Sequence, residues 1–407
     1  MIKQQDKEIM YTLASRLAEI AAEPLNLHKK KEWIVHNAMG KTSPRVVVFP
    51  ENSWHEIIPE QSLQIEDEFL RAIERDLREK IYHWEHFKDD MVFEPIYRMR
   101  AVYDDHFEWG MKPEKKYSGV QGGAYEMVAT LKTEDDFQRM AALSHNWDFD
   151  DAETQRRQEL LTDIFKDTLQ VKPCIPFYTS SMIFQLVPLY GLTELMMDLV
   201  LKPEHIHKIM EFMSNSLLHA FKKLETEKRI ISNNNGIFLP SGSLGYTDEL
   251  KLEEAEGPFS LQDLWGFADT QEFTDVSPAM WREFVWPYQK KLLKEFGLVY
   301  YGCCEKLDKK YEDILALPNI RKISVSPWSD IHIAAEKIGR KAIYCRKFSP
   351  AEVIYGFEET KIKSSTKELL EVSKDCNLEI ILKDLHTCDY KPENITRWIE
   401  VVQSECK

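Results

Sequence analysis

The C-terminal half of the chain alternates short apolar runs with amphipathic segments. The apolar runs lie at 298–302, 320–325, 341–345 and 378–382, and the segments between them have the spacing of helices. These runs are mostly apolar rather than strictly alternating between apolar and polar residues, which is typical of strands that are buried on both faces of a parallel sheet. The pattern therefore predicts an α/β fold built on parallel strands.

The N-terminal part is predicted to be mainly helical. Apolar residues at helical spacing indicate amphipathic helices over about 5–22 and 66–88, with one short strand over 45–49 between them. The stretch 90–130 has no clear periodicity, and the Gly-, Ser- and Asn-rich loop up to Tyr246 is typical of a loop at an active site. Further helices are predicted over 135–144, 151–168, 192–200, 203–228, 278–296, 307–316, 329–338 and 364–375 and from Pro392 onward.

The alternation of strands and helices over 407 residues favours a TIM-type (β/α)8 barrel. An open, doubly wound sheet is the alternative. No Pro- or Ser-rich linker separates two halves, so we expect one structural domain overall. Within it, we assign residues 1–90 to a helical N-terminal extension packed on the barrel and residues 91–407 to the barrel itself.

The composition limits the classes of binding partner and the cellular compartment that we expect. The formal net charge of −15 argues against a surface that binds nucleic acid. No apolar stretch approaches the length of a membrane span, and the polar N-terminus does not resemble a signal peptide. Seven scattered cysteines do not form the pattern of a secreted disulfide framework. We expect a cytoplasmic protein with reduced thiols that binds neither nucleic acid nor membranes.

Reactive side chains follow the predicted strands. Cys303, Cys304 and Glu305 come directly after the first strand of the C-terminal half, and His386 comes after the last. In a parallel barrel, catalytic residues lie at these carboxyl ends of strands. The other polar residues at these positions are Ser326, Asp330, Arg346, Lys347, Lys383, Asp384, Thr387 and Cys388.

Thiolates and an imidazole from two strand ends are suitable ligands for Zn²⁺. The two adjacent cysteines favour metal binding or nucleophilic attack, while plain packing of small buried residues is the alternative. For His386 the alternative is a capping or hydrogen-bonded histidine. Glu272, between an expected Trp-Gly loop and the helix that begins at Pro278, is a candidate base or further ligand, or else a solvated carboxylate.

The same region resembles the uroporphyrinogen decarboxylase-like superfamily. The resemblance spans about residues 230–405 and is carried by the segments Trp265–Glu272, Phe284–Tyr288, Gly297–Cys304, Pro318–Trp328 and Lys383–Thr387. The superfamily contains decarboxylases and corrinoid-dependent methyltransferases on a TIM barrel. The Arg-rich N-terminal motif by which the decarboxylases bind propionates has no counterpart here. The chain is therefore more similar to the methyltransferase branch.

That branch binds zinc through a His-x-Cys motif and a distal cysteine. Cys304 aligns with the first cysteine, but Gly302 stands where the family has histidine, and the distal cysteine falls between Asp384 and His386. The resemblance implies zinc at Cys304 and His386, with Cys303, Glu305 and Glu272 as catalytic candidates. It implies transfer of a methyl group between a small-molecule donor or thiol acceptor and cobalamin carried by a corrinoid protein.

Two other functions remain open at this point. One is a metal-free lyase of the uroporphyrinogen decarboxylase type, against which the missing Arg motif counts. The other is a non-catalytic barrel that binds a corrinoid protein or a small ligand. The methyl donor, the acceptor, the direction of transfer and the oligomeric state do not follow from the sequence.

Overall fold

A computed structural model of the chain describes residues 2–105, 109, 111, 114–117, 125–142, 147–175 and 179–407. The helices are α1 (Gln4–Ala22), α2 (Pro24–Asn37), α3 (Trp54–Ile57), α4 (Glu68–Tyr82), α5 (Glu134–Ala142), α6 (Asp151–Phe165), α7 (Met182–Tyr190), α8 (Leu192–Leu201), α9 (Pro203–Thr226), α10 (Pro278–Phe284), α11 (Trp286–Leu293), α12 (Tyr311–Leu315), α13 (Ile331–Ile338), α14 (Pro350–Ile354), α15 (Glu359–Val372) and α16 (Pro392–Glu405). The strands are β1 (Arg45–Val48), β2 (Ile96–Arg100), β3 (Tyr103–Asp105), β4 (Glu114–Tyr117), β5 (Tyr125–Val128), β6 (Trp147–Phe149), β7 (Gln170–Cys174), β8 (Trp265–Ala268), β9 (Leu298–Tyr301), β10 (Ile320–Val325), β11 (Ile343–Phe348) and β12 (Asn377–Leu382).

A parallel sheet organises the molecule. Within the described ranges it has six strands in the order β1-β12-β11-β10-β9-β8. Helices connect its C-terminal strands, as parallel pairing requires. The predicted α/β fold with parallel strands is confirmed. The carboxyl ends of these strands all lie at one edge of the sheet. In parallel α/β folds, this is the edge that carries catalytic and binding residues.

Further short strands lie outside this sheet. β2 and β7 form a separate parallel pair, and Thr179 makes a parallel bridge to Phe267 of β8. β3 pairs with β6 and β4 pairs with β5, both antiparallel, and β3, β4 and β5 lie within the stretch that has no clear periodicity in sequence. Closure of all these strands into one barrel is not established by this pairing, so the complete (β/α)8 barrel stays a prediction.

The N-terminal segment contributes to the sheet as well as to its cover. β1 pairs with β12 in the register Val47 to Ile381, although it lies inside the segment that we expect to be a helical extension. Helices α1 and α4 pack together beside it. The sheet thus includes chain from both sides of residue 90, and the domain boundary at that position stays a prediction.

The strands bury both faces, as their mostly apolar runs predict. Val46 and Val48 of β1 pack in one core cluster with the outer helices, while Val47 packs in a second cluster with α1, α2 and α4. On β9, Tyr301 packs in the first of these clusters and Tyr300 packs in the second. This alternation follows from the two-residue period of a strand.

Most predicted helices and strands are confirmed, with ends that shift by a few residues. The expected loop at Trp265 and Gly266 was wrong, because Trp265–Ala268 is the buried strand β8. Gly266 has a packing reason there: a Cβ at this position would lie 2.5 Å from the ring of Phe296. The helix predicted over 278–296 is two helices, α10 and α11, with Pro287 in the first turn of the second.

Taken singly, no helix of the described ranges combines the length and the apolar composition of a membrane span. One pair, Met182–Tyr190 with Leu192–Leu201, reaches both criteria together, but it is bent by 100° at the break.

Candidate functional site

The carboxyl edge of the sheet brings together side chains from four strand ends. Asp269 follows β8, the cysteine pair Cys303 and Cys304 follows β9, Lys347 lies near the end of β11, and Lys383 follows β12. The sequence separates these residues by more than a hundred positions. Parallel pairing places the strand ends side by side, so their side chains share one neighbourhood.

Cys303 and Cys304 form a close pair of thiols. Their Sγ atoms are 3.6 Å apart, and both cysteines are free. Gly302, which directly precedes the pair, has a φ of +92°. A residue with a side chain would be strained in this conformation. A Cβ at Gly302 would also lie 2.7 Å from Leu307 Cδ1. The local backbone therefore requires a glycine at this position.

Two lysines flank the thiols. Lys383 Nζ lies 4.0 Å from Cys303 Sγ, and Lys347 Nζ donates hydrogen bonds to Ser241 and Ser324. Ser324 Oγ in turn donates to the carbonyl oxygen of Cys303 at 2.6 Å. Lys347 thereby fixes the backbone of Cys303 through one serine. The Ser241 contact confirms that the Gly- and Ser-rich loop reaches the site.

The electrostatics of the pair favour one thiolate. The hydrogen bond from Cys304, supported by the ammonium groups of Lys347 and Lys383, lowers the pKa of Cys303 below that of an ordinary thiol. The same hydrogen bond and burial raise the pKa of Cys304. Burial acts to lower the pKa of Lys383, but the thiols and Asp384 outweigh it and raise this pKa. The pair therefore holds one proton and one negative charge near neutral pH.

Asp384 completes the immediate surroundings of the thiols. Cys304 Sγ donates to Asp384 Oδ2 at 3.2 Å, and Lys383 pairs with the other carboxylate oxygen. Burial opposes ionisation of Asp384, but Lys383 prevails and lowers its pKa. Asp384 is therefore a carboxylate that competes with the Cys303 thiolate for the single S–H hydrogen bond of Cys304.

Glu305 joins two strand ends. Its Oε2 accepts a hydrogen bond from the amide of Cys303 at 2.8 Å, and its Oε1 accepts one from the amide of Thr270 at 2.9 Å. The side chain is buried, with 1% exposure. These contacts are those of a positioning residue that ties the end of β8 to the thiol turn. A direct catalytic role for Glu305 stays a prediction.

Two further carboxyl groups lie beneath this turn. Asp269 is buried, and its Oδ1 has no hydrogen-bond partner among the described residues. Burial and the neighbouring charges of Glu305 and Cys303 raise its pKa well above the ordinary value. Glu272 is half-buried, and burial raises its pKa too. The raised pKa favours the protonated form of each group, most strongly at Asp269, and a protonated carboxyl is a proton donor rather than a metal ligand.

His386 lies apart from the thiols. Its side chain is exposed, and its Nδ1 is 3.4 Å from the side-chain amide of Asn52. In the loop after β12, the residue that contacts Cys304 is Asp384. The structure therefore brings together Cys303, Cys304 and Glu305 from the sequence prediction, with Glu272 nearby, and leaves His386 at the surface.

The donor set does not fit a zinc ion in this arrangement. Across the described residues, no three His, Cys, Asp or Glu side chains are grouped to hold a metal. In addition, the ammonium of Lys383 contacts both Asp384 and Cys303, where a cation bound by these groups would lie. The lysine supplies the positive charge that zinc would supply to the thiols. Zinc at Cys304 and His386 stays a prediction.

A cavity of about 370 Å³ opens beside the thiols. Lys383 and Ser241 form part of its wall, and Lys383 Nζ lies 4.0 Å from Cys303 Sγ. Its size lies in the range of small-molecule sites, ~300–1,000 Å³. A small molecule bound here would contact the lysine that flanks the thiol pair.

Sequence reasoning gave no role to Lys347, Lys383 or Asp269. Both lysines follow apolar strand residues, and a lysine near the end of a buried strand is the available signal, because burial of lysine requires a partner. Asp269 lies directly after β8, but its position became visible only once Trp265–Ala268 was recognised as a strand.

Comparison with solved structures finds proteins of similar fold. The chain is similar to a methyltransferase from Methanosarcina mazei, with 11% sequence identity and a TM-score of 0.50, over 92% of this chain and 98% of that chain. At this identity the similarity indicates a shared fold. A scan against protein-family models and a search of curated proteins found no match.

Proposed function

We propose that the protein is a methyltransferase that passes a methyl group between a small molecule and cobalamin carried by a partner corrinoid protein. The observation that carries the proposal is the thiol pair Cys303 and Cys304, held between Lys347 and Lys383 at the carboxyl edge of a parallel sheet. The fold similarity to a methyltransferase and the family resemblance of the strand-end segments support it. We propose also that the strands close into a barrel.

The side chains of this site are suited to proton management during methyl transfer. When a thiol accepts the methyl group, its S–H proton passes to the Cys303 thiolate, and the freed electron pair forms the new S–CH3 bond. When a methyl donor loses its methyl group, its heteroatom keeps the bonding pair and takes a proton from a protonated carboxyl group such as Asp269. The corrinoid supplies the cobalt that carries the methyl group.

The lysines stabilise the negative charge that these steps create. Lys383 lies 4.0 Å from Cys303 Sγ, in a partly buried setting in which a charge acts more strongly than in water. A lysine cannot bind a substrate thiolate directly as zinc does. The proposal therefore assigns acid–base and electrostatic roles to the chain and derives no step through a metal.

The test is a transfer assay with methylcobalamin and small thiols, and with methylated donors and reduced cobalamin. Cys303→Ser and Cys304→Ser should each lower the rate by about 100-fold or more, the usual contribution of a general acid or base. Cys376→Ser, outside the site, should leave it unchanged. Full activity in both site variants would contradict the proposal. Elemental analysis of the same preparations tests the zinc prediction separately.

A further inference from the structure

The cavity whose wall includes Lys383 is also lined by aromatic rings. We refer to it as the α4 cavity, because α4 forms one of its walls. Phe49, Trp54 and Phe238 face it, together with the carboxyl groups of Glu51 and Glu79. The Phe49 and Phe238 rings pack edge to face with centroids 4.5 Å apart. The cavity thus combines aromatic walls with acidic groups.

The positive charges of the α4 cavity are already paired. Lys80 Nζ lies 2.5 Å from Asp76 Oδ2, and Lys383 pairs with Asp384. Within the part of the chain that the structure describes, Glu79 accepts no side-chain hydrogen bond and forms no ion pair, although it is half-buried. The charge left without a partner in this cavity is therefore negative.

We propose that the α4 cavity binds a small methylated ammonium ion, with Glu79 as its counter-charge and the rings of Phe49, Trp54 and Phe238 as the surface for its methyl groups. Aromatic faces attract such cations because their quadrupole presents negative charge. A carboxylate adds the long-range attraction. Neither feature would favour an anion.

The pKa of Glu79 is sensitive to a neighbouring cation. Burial, and then the charge of Asp76, raise the pKa of Glu79 to about 7, while Arg75 and Lys80 compensate only in part. A bound ammonium ion would lower this pKa again, since an opposite charge nearby favours the ionised carboxyl. The site is therefore one that a cation stabilises.

The location makes this cation a candidate methyl donor. Lys383, in the wall of the α4 cavity, is 4.0 Å from Cys303 Sγ. As a statement about the substrate class, the inference rests on the proposed function. As a statement about binding, it depends only on the cavity.

Calorimetric titration without any corrinoid tests the binding. The probes are choline, its neutral carbon analogue 3,3-dimethylbutan-1-ol and the anion 3,3-dimethylbutanoate, all at pH 8. We expect choline to bind at least 10-fold more tightly than either analogue. Equal binding of choline and the neutral alcohol, tighter binding of the anion, or no detectable binding of choline would overturn the proposal.

Variants locate the binding. Glu79→Gln should weaken choline binding by at least 5-fold, while Glu68→Gln, an exposed residue in the first turn of the same helix, should not. Phe238→Leu should weaken choline binding more than binding of the neutral alcohol. Circular dichroism shows whether each variant folds. If Glu79→Gln does not fold, the affinity of Phe238→Leu for choline decides the test. An unchanged affinity in both variants would contradict the assignment.

The affinity should also depend on pH. Choline should bind more tightly at pH 8 than at pH 6, since Glu79 loses its proton over this range, and Glu79→Gln should remove that difference. The other charged or titratable groups around Glu79 are Arg75, Asp76, Lys80 and His83 on its own side, and Glu51 and Lys383 across the cavity. A pH dependence that persists in Glu79→Gln would point to one of these and contradict the assignment.

Binding and transfer fail in distinguishable ways. Choline binding that depends on Glu79, with no methyl transfer to reduced cobalamin from choline or methylamines, would uphold the cation site and contradict its role as donor site. Transfer to thiols with no binding of choline would uphold the proposed function and overturn the cation site.

Discussion

The same amino acid has opposite properties at different positions of this chain. Burial raises the pKa of Cys345, and burial together with a hydrogen bond to Glu56 raises that of Cys388 to about 12. At Cys303 the neighbouring thiol and two ammonium groups lower the pKa instead. Reactivity of a cysteine follows its thiolate fraction, so Cys303 should be the reactive thiol of the chain.

We predict that Cys303 reacts with iodoacetamide at pH 7 faster than the other cysteines. Its rate should stay high at a pH where a free thiol, with a pKa of about 8.5, is already mostly protonated. Cys304→Ser should shift the profile to higher pH, since a serine hydroxyl is a weaker partner for the thiolate. Mass spectrometry of the labelled peptides as a function of pH measures both effects.

Lys383→Met provides the control for this titration. Removal of the ammonium should shift the profile of Cys303 to higher pH, whereas Lys374→Met, an exposed lysine near the end of α15, should have no effect. Preferential labelling of a cysteine other than Cys303 would contradict the assignment of the thiolate.

Asp269 gives a prediction about stability. Its folded-state pKa is raised, so folding near neutral pH takes up a proton that the unfolded chain releases. This destabilises the protein above the unfolded-state pKa of about 4. Asp269→Asn should therefore raise the free energy of unfolding at pH 7, and the gain should disappear as the pH falls below 4. Urea unfolding at several pH values measures it, and a destabilised variant at pH 7 would contradict the prediction.

At the scale of single residues, the sequence predicted the chemistry only in part. The adjacent cysteines were found because their residue type is rare and their position followed an apolar run. Lys347 and Lys383 were not assigned, because lysine is common in loops and its burial depends on partners more than 20 positions away. His386 was chosen for its residue type, while the backbone, with a φ of +61° at Asp384, brings the aspartate to Cys304.

Between elements, the thiol turn depends on the connection of β8 to β9. Glu305 accepts amide hydrogen bonds from Thr270 and Cys303, one with each carboxylate oxygen. Hydrogen bonds to a charged group are the stronger kind. The two strand ends are thereby held at a fixed separation, and Asp269 is held beneath the thiols.

Glu305→Gln should weaken this connection. Glutamine keeps one acceptor and turns an N–H group toward an amide N–H, so the variant should lose about 1.5–3 kcal/mol of stability, the usual contribution of a hydrogen bond to a charged group. Because a negative charge disappears, the pKa of Cys303 should fall further. Denaturation and the iodoacetamide profile measure the two effects.

Glu272→Gln is the matched control for that substitution. Glu272 Oε2 has no hydrogen-bond partner among the described residues and its pKa is raised by burial, so the change should not lower the free energy of unfolding at pH 7. Equal destabilisation by the two substitutions would show that Glu305 does not act as a connection.

At this scale the sequence was most informative where residues are most uniformly apolar. β9 was predicted to within one residue of its observed end, because its four residues Leu298–Tyr301 are uniformly apolar, as burial on both faces favours. β8 escaped recognition because it is four residues long and contains a glycine, whose role is to admit the ring of Phe296. That contact joins positions 30 residues apart, and no local pattern encodes it.

Across the whole molecule, a buried ionic group links the N-terminal helices to the sheet. Lys322 of β10 and Glu379 of β12 form a fully buried ion pair at 2.6 Å. His36 of α2 lies 3.4 Å from the same carboxylate, and burial lowers its pKa, so it stays neutral. Trp33 of α2 lies over the Lys322 ammonium, 5.1 Å from the centre of its ring. The buried ion pair is thus one of the contacts that bind the helix to the sheet.

This ion pair should be important for specificity more than for net stability. Lys322→Met leaves Glu379 charged and uncompensated in the interior, which should cost about 3–5 kcal/mol. The double variant Lys322→Met with Glu379→Leu should recover most of that loss, because an apolar pair avoids the desolvation of two charges. Urea unfolding of the single and double variants measures the recovery, and equal losses would contradict it.

The pH dependence of unfolding provides an independent check on the same pair. Lys322 and the contact with His36 outweigh burial and lower the pKa of Glu379 to about 2 in the folded chain, below its ordinary value. The stabilisation is therefore complete above the unfolded-state pKa of about 4.3 and is lost as the pH falls toward 2. The double variant lacks this carboxyl, so its unfolding free energy should fall less steeply between pH 4 and pH 2 than that of the natural chain. An identical slope would mean that the pair does not hold α2 to the sheet by charge.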